Sequence, residues 1–326
     1  MAKLTKEDIV AFADKYLKED NYAVVYKKQG KDPNEKKMTK PEITPIVSNR
    51  DVASPFLTSI QENAVKPIEP VFLDFKKDMS QLTAKSDIPV LYKQNTTNDL
   101  FQLIYVFDMG NNNDKALGTA FDYLEYLGTS DMTPEELKSE FYRLACTFYV
   151  SPGNERTYVV LSGLNENMPA AMQLFEKLLA DAQVNKEAYD NLVGDILKAR
   201  ADAKLNQGQN FSRLMNYAMY GPKSPATNLL TEAELASMNP QELVDRIHNQ
   251  NNYKHRILYY GPSSSKDLLA TIDQYHQVPA TLKDIPAGNE FSYLETPATK
   301  VLVAPYEAKQ IYMAQISNLD KKYDPA

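Results

Sequence analysis

Apolar positions along this chain change period several times, and each change marks an element. At 4–18, Ile9, Phe12, Ala13, Tyr16 and Leu17 share one helical face behind Thr5, a good N-cap. Asn21–Tyr26 then reads as a strand. Further on, strands are predicted at 88–94 and at 100–109, the second a long apolar run from Leu100 to Met109 that ends in Gly110. Leu117, Ala120, Phe121, Leu124 and Leu127 follow helical spacing and predict a helix over 114–127. Thr133-Pro134-Glu135-Glu136 is a capping box with Pro at the first helical position, and it opens a helix over 133–145. A hairpin is expected at 146–163, turning at Ser151-Pro152-Gly153-Asn154. Helices follow at 168–182, 186–206, 210–220, 232–237 and 240–250, then a strand at 255–260 and a helix at 265–275. This order predicts an α+β fold, an antiparallel sheet with helices packed on one side.

Between the first strand and this module lies 31–85. Lys31-Asp32-Pro33-Asn34-Glu35-Lys36-Lys37 is polar and turn-rich. Pro41, Pro45, Pro55, Pro67 and Pro70 then punctuate apolar beads: Ile43, Ile46, Phe56, Leu57, Ile60, Val71, Phe72 and Leu73. So apolar a segment reads as an extended, semi-rigid strap lying on a protein surface.

Two parts of the sequence repeat. Leu4–Val10 matches Met238–Val244 in residue type, and each is followed by Asn-Tyr and a strand. Pro89–Tyr92 with the strand from Leu100 resembles Lys300–Pro305 with Ile311–Ile316. The chain therefore reads as the tail of one module (1–30), a connector (31–85), a whole module (86–280) and the start of a third (281–326). Capped helix–strand units are common, so the repeat is an expectation about organisation only.

Composition narrows the partners. Hydrophobic content of 43% and charged content of 24% are those of a globular protein. The net charge of −7 argues against nucleic acid and anionic membranes as partners. No apolar run approaches a membrane span. Cys146, the only cysteine, sits in Leu144-Ala145-Cys146-Thr147-Phe148 and reads as a buried structural thiol.

The candidate chemistry lies in Asp122-Tyr123-Leu124-Glu125-Tyr126. Inverted zinc peptidases use His-x-x-Glu-His on a helix, with both His on one face and Glu as general base. Here the Glu stands in place, while Asp122 and Tyr126 occupy the two His positions. A phenol is a poor zinc ligand at neutral pH. His248, His255 and His276 show no helical zinc spacing, and each reads as structural or surface. Gly261-Pro262-Ser263-Ser264-Ser265-Lys266 lacks the ending of a phosphate loop and reads as a turn with a Ser cap. Lys198, Arg200, Lys204 and Arg213, interleaved with Asp195 and Asp202, read as a solvated face. Twenty-one tyrosines and no tryptophan are the compositional excess. Tyr142, Tyr149, Tyr158, Tyr217 and Tyr220 recur in the module core, where they suit either a wet peptide-gripping wall or ordinary half-buried positions.

The order strand, Gly110, helix carrying Glu125, Gly128-Thr129, helix resembles the opening of a pitrilysin/insulinase-family metallopeptidase module, and most of all its inactive form. The resemblance covers roughly 86–276, with partial modules at the flanks. It implies a non-catalytic portion of a zinc metallopeptidase, forming chamber wall and peptide-substrate contacts, or an inert binding or assembly protein of the same fold. It implies no catalytic and no metal-ligating residue in this chain, no cofactor here, and zinc in the first module of a longer parent. This chain alone is then not an enzyme, while the parent is either active or a wholly inactive relative. Active relatives place a further Glu ligand on a later helix, where this chain has Asp190 and Asp195, read as solvated acids. Expected partners are peptide or unfolded polypeptide, the parent's other modules, and a dimer produced by truncation. The chain itself does not fix the compartment, and the resemblance to exported bacterial members points to the periplasm.

Overall fold

The computed structural model describes residues 4–18, 20, 22–30, 39–45 and 52–318. Contacts separate it into two units, residues 1–70 and 71–326.

In the first unit, α1 (Lys6–Tyr16) forms where the periodicity predicts it. Thr5 Oγ1 accepts from the Asp8 N–H, and the Thr5 N–H donates back to Asp8 Oδ2 at 2.9 Å, closing a capping box. A second helix, α2 (Pro55–Gln61), starts at Ser54 with Pro at N1, inside what the sequence reads as an extended strap. Neither helix buries a residue. Tyr22–Tyr26, expected as a strand, is exposed and pairs with no strand among the described residues. Its alternation is strand-like, but a strand forms only against a neighbour. The polar run 31–37, Asn21 and Ile46 lie outside the described residues.

The second unit is built on one sheet. Its strands, among the described residues, are β1 (Ser80–Ala84), β2 (Ile88–Gln94), β3 (Leu100–Phe107), β4 (Cys146–Pro152), β5 (Thr157–Leu164) and β6 (Arg256–Gly261), in the order β1-β2-β6-β3-β5-β4. All pairings are antiparallel except β2 with β6, which is parallel. That pair corrects the expectation of a wholly antiparallel sheet. Chain from Asn95 to His255 separates its two strands, so no local pattern could announce it. β1 corrects another expectation, since its residues fall at the end of the proposed connector.

Helices α3 (Leu117–Leu124), α4 (Pro134–Arg143), α5 (Met168–Asp181), α6 (Lys186–Ala203), α7 (Gln207–Tyr220), α8 (Glu232–Ser237), α9 (Gln241–Asn249) and α10 (Ser265–Tyr275) complete the unit. Thr133 caps α4 through the expected box with Glu136, and Ser264 caps α10 by accepting from the Asp267 N–H, as the Ser-rich turn suggested. Alternation along the strands decides which face is covered. Phe101, Leu103, Tyr105 and Phe107 of β3, Val159 and Leu161 of β5, and Ile257 and Tyr259 of β6 are buried in one core with Leu117, Phe121, Phe175, Leu178, Leu243, Leu268 and Ile272 from the helices.

The sheet ends where loops interlock. The Asn111 N–H donates to the Gly153 carbonyl at 2.8 Å, and the Asn112 N–H donates to the Asn154 carbonyl at 2.8 Å. A Cβ at Gly110 would run into the carbonyl oxygens of Gly153 and Asn154, which explains why the β3 run closes on glycine. Asp108 accepts from Arg256 Nη1 at 2.6 Å and from Arg156 Nε at 2.8 Å, tying the end of β3 to β6 and to the β4–β5 turn. These guanidinium bonds, chiefly that from Arg256, hold its carboxyl below the usual range.

Residues 289–318 run without strand or helix. Val301–Pro305 and Ile311–Ile316 were expected as strands and are not. Their alternation lacks a sheet to join, and Ile311 and Met313 are 92% and 89% exposed. The segment nevertheless touches α7: Tyr312 meets Phe211 edge-on at 5.6 Å, and Tyr293 stacks on Tyr220 at 4.7 Å.

Candidate functional site

The segment Asp122–Tyr126 straddles a helix end. α3 stops at Leu124, so Asp122 lies inside it, Glu125 caps it and Tyr126 falls beyond it. The predicted helix of 114–127 is thus shorter at both ends, and positions 122 and 126 do not share one helical face. All three side chains are exposed. Partial desolvation, aided by the nearby Glu125 charge, lifts the Asp122 carboxyl. Zinc requires converging imidazole, thiolate or carboxylate donors, and this trio offers no imidazole and no shared face. Among the described residues, no group of three or more His, Cys, Asp or Glu is placed to hold a metal ion.

Beside Glu125 a pocket of about 360 Å³ opens between α3, α4 and β4. Phe121, Leu124, Phe141, Cys146, Phe148 and Val150 form its apolar wall, with Tyr142, Tyr149 and Lys138 around them. Phe148 packs between Phe141 (4.9 Å) and Phe175 (4.8 Å), so the pocket floor is fixed by core contacts. Cys146 is buried and burial pushes its thiol up, as a structural cysteine requires. Among the described residues β4 is the last strand of the sheet, and its outer row of N–H and C=O groups has no strand partner there.

Strand register shows what the face opposite that core carries, where Val106 and Val160 are themselves buried. Residues paired across strands share a face. One row runs Leu91, Leu258, Ile104, Val160, Tyr149. Flanking rows bring Arg256, Val106, Tyr158 and Ser151 on one side, and Lys93, Tyr260, Gln102, Ser162 and Thr147 on the other. The middle of this face is apolar and its borders carry tyrosine. Tyr149 is 50% exposed and Tyr158 37%. Tyr142 and Tyr217 are also exposed, which corrects the expectation that these tyrosines lie in the module core.

The structure joins groups that the sequence reading left apart. His276 and Glu176 are 0% and 1% exposed, and His276 Nδ1 lies 2.6 Å from Glu176 Oε1. On the other side of the ring, His276 Nε2 is 2.9 Å from His255 Nε2. His255 Nδ1–H donates to the Tyr253 carbonyl at 2.7 Å. Glu176 also accepts from Tyr105 Oη (2.9 Å), Asn251 Nδ2 (2.9 Å) and the Gln277 N–H (3.1 Å). Burial, then the His276 ring, lowers His255 to about 4. Burial, then Glu176, raises the Tyr105 phenol well above its ordinary value. The available signal was Glu176 itself, a lone acid on the apolar face of α5 between Met172 and Leu179.

Other candidates fall into place plainly. His248 Nε2 lies 3.1 Å from the Ala182 carbonyl. Asp190 and Asp195 are exposed on α6, the first paired with Lys186 at 2.7 Å, as solvated acids should be.

No family sequence model matches the chain, and no curated protein matches it. Solved structures do. The periplasmic protease PqqL from Escherichia coli superposes with a TM-score of 0.60 at 15% identity, over 91% of this chain and 31% of its own. The ferredoxin protease FusC, solved in complex with Arabidopsis ferredoxin, gives 0.57 at 11% identity, over 72% of this chain and 27% of its own. The peptidase M16 inactive domain from Pseudomonas fluorescens gives 0.55 at 16% identity, over 65% and 54%. The chain therefore spans about a third of the length of the two proteases. At these identities the likeness is one of fold. The chain has the fold of the M16, pitrilysin-like, peptidases and of their inactive domain.

Proposed function

We propose, from the pitrilysin-like fold of this chain, that it is a non-catalytic part of such a peptidase and contacts an extended polypeptide along β4. The carrying observation is a free sheet edge placed beside an apolar pocket. An unpaired strand edge is matched by the regular N–H and C=O spacing of another extended chain. Alternate side chains of that chain would then reach the pocket at Phe121, Phe141 and Phe148, and the tyrosine-bordered face at Tyr149. The ferredoxin complex among the fold neighbours supports a protein as ligand. The module provides wall and grip, and the catalytic zinc belongs to another module of a longer parent. A periplasmic fold neighbour supports the periplasm as compartment.

The test is binding of a fluorescent unfolded polypeptide, read by anisotropy, with Tyr142→Ser/Tyr149→Ser as the variant. Both side chains are largely exposed, so the fold should survive. A weakening of about tenfold, roughly 1.4 kcal/mol, is expected for loss of aromatic anchors. Unchanged binding overturns the reading.

A second reading, an inert assembly subunit of the same fold, is favoured by the exposed apolar face of α1 and by Ile311 and Met313. Zinc content and peptidase activity of the full-length protein separate the two. Zinc-dependent cleavage supports the first reading, and its absence supports the second.

A further inference from the structure

The buried Glu176–His276–His255 chain raises a question of proton count. A carbonyl can only accept, so the proton on His255 Nδ1 is committed to Tyr253. If both rings were neutral and His276 used its Nδ1 proton toward Glu176, the two Nε2 atoms would face each other as bare lone pairs at 2.9 Å. That contact is repulsive, and a separation of 2.9 Å leaves no room for a bridging water. One additional proton removes the conflict. His276 then donates from both nitrogens, to Glu176 and to His255, and every polar atom of the three side chains' hydrogen-bonding edge has a partner. The equivalent arrangement, with the proton on Glu176 and His276 as the Nε2–H tautomer, has the same proton count and zero net charge.

We propose that Glu176, His276 and His255 hold one shared structural proton, and that this proton latches the chain leaving α10 onto α5. The latch is placed at a junction. Gln277, next to His276, gives its N–H to the same carboxylate. Beyond it, the segment is fastened by the Lys254 N–H to the Lys283 carbonyl at 2.9 Å and the Lys283 N–H to the Asn252 carbonyl at 2.7 Å. Loss of the proton to solvent base leaves a carboxylate and two neutral imidazoles with opposed lone pairs, and the Nε2–Nε2 contact must open. The other groups facing the cluster are uncharged near neutrality: Tyr105 from β3, Asn251 and the Tyr253 carbonyl from the turn after α9, and the Phe107 ring 4.7 Å from His255. Among the described residues, no Lys, Arg or Asp side chain bonds to the three. No neighbouring cation therefore substitutes for the proton.

Glu176→Gln separates the latch from mere packing. A Gln amide can donate to His276 Nδ1, leaving the neutral Nε2–H tautomer to donate to His255. Both histidine contacts are then satisfied with no removable shared proton, and Tyr105 Oη, which donates to this position in the wild type, turns to accept from the second amide hydrogen. The experiment follows hydrogen-exchange protection of residues 276–286 and ring nitrogen NMR shifts in the full chain against pH. In the wild type, a proton is expected between the two Nε2 atoms, and protection of 276–286 should fall at least tenfold as it titrates away. In Glu176→Gln, protection should stay flat over the same range. The proposal is overturned if both Nε2 atoms are unprotonated when protection is maximal, or if the two proteins share one pH profile. Should Glu176→Gln fail to fold, the ring nitrogen shifts of the wild type decide alone.

Discussion

Tyr123 and Asn185 bind each other twice. The Tyr123 phenol accepts from the Asn185 N–H at 2.8 Å and donates to the Asn185 carbonyl at 2.6 Å. Asn185 in turn caps α6 by accepting from the Ala188 N–H. Tyr123, fully buried between Asp122 and Glu125, thus fastens α3 to the start of α6. Tyr123→Phe deletes both bonds and leaves a phenyl ring of the same shape. A loss of about 1–2 kcal/mol is expected, measured by urea denaturation, with polypeptide binding unchanged. A neutral substitution would show that the phenol contributes nothing to this joint.

The metal prediction rests on the end of α3. Zinc should not bind at Asp122, Glu125 and Tyr126, because the helix ends between positions 122 and 126. Asp122→His/Tyr126→His should not create a peptidase either, since orienting partners and a distal ligand are also required. Metal analysis and a peptide-cleavage assay check both. Stoichiometric zinc lost on Glu125→Gln, or cleavage abolished by that change, would sink the idea.

Gly163 gives a stability prediction. Its φ of +153° is glycine territory, and a Cβ would strike the Ala145 carbonyl and lie 2.6 Å from Cys146 Sγ. Both neighbours belong to the turn into β4 and its first residue, so neither yields without moving the edge strand. Gly163→Ala should cost on the order of 3 kcal/mol. Because β4 carries the proposed binding edge, thermal unfolding and polypeptide affinity should both suffer. A melting temperature within a degree of wild type would contradict the close approach.

The reach of the sequence depended on how local each feature is. β3 was legible because Leu100–Phe107 is long and apolar, and α4 because Thr133 and Pro134 announce its start. β1 was not, since Ser80-Gln81-Leu82-Thr83-Ala84 is an edge strand whose exposed residues leave no alternation to read. The site divided the same way. Asp122–Tyr126 is contiguous, so the absence of His at 122 and 126 could be read directly. The Glu176–His276–His255 chain joins residues 100 and 21 apart in sequence, so only the packing of α5 against the end of α10 reveals it. Tyr22–Tyr26 and Val301–Ile316 failed for the opposite reason. Their local pattern was clear and the partner strand that would realise it was absent from the described fold.

His255 makes stability depend on acid. Its folded value of about 4 lies below the ordinary 6.5, so between these values the unfolded chain binds a proton that the folded chain refuses. This residue's contribution to stability is then fully present above pH 6.5 and falls as pH drops toward 4, by up to roughly 3 kcal/mol. His255→Gln keeps an acceptor toward His276 and removes the titration. Comparing urea midpoints of the two proteins isolates this residue from the carboxylates. The variant should lose the part of the acid limb between pH 6.5 and 4, and an identical limb in both would refute the assignment.

The apolar surface outside the sheet should drive association. α1 presents Ile9, Phe12, Tyr16 and Leu17 and buries none of them. Val301, Val303, Ile311 and Met313 are exposed on the other side of the sequence. Leaving such side chains in water forgoes on the order of 1.5–3 kcal/mol each when a partner could cover them. Two faces of this size are more than a monomer usually leaves open. Sedimentation velocity should therefore show concentration-dependent self-association, through α1, through 301–316, or through both. Phe12→Glu/Leu17→Glu and Ile311→Glu/Met313→Glu identify which. Whichever pair acts should weaken association at least tenfold and leave the melting temperature of the module unchanged, because none of the four residues joins the core of β1–β6. A chain that stays monomeric at high concentration would show that these faces need no cover, and would remove the main support for the assembly reading.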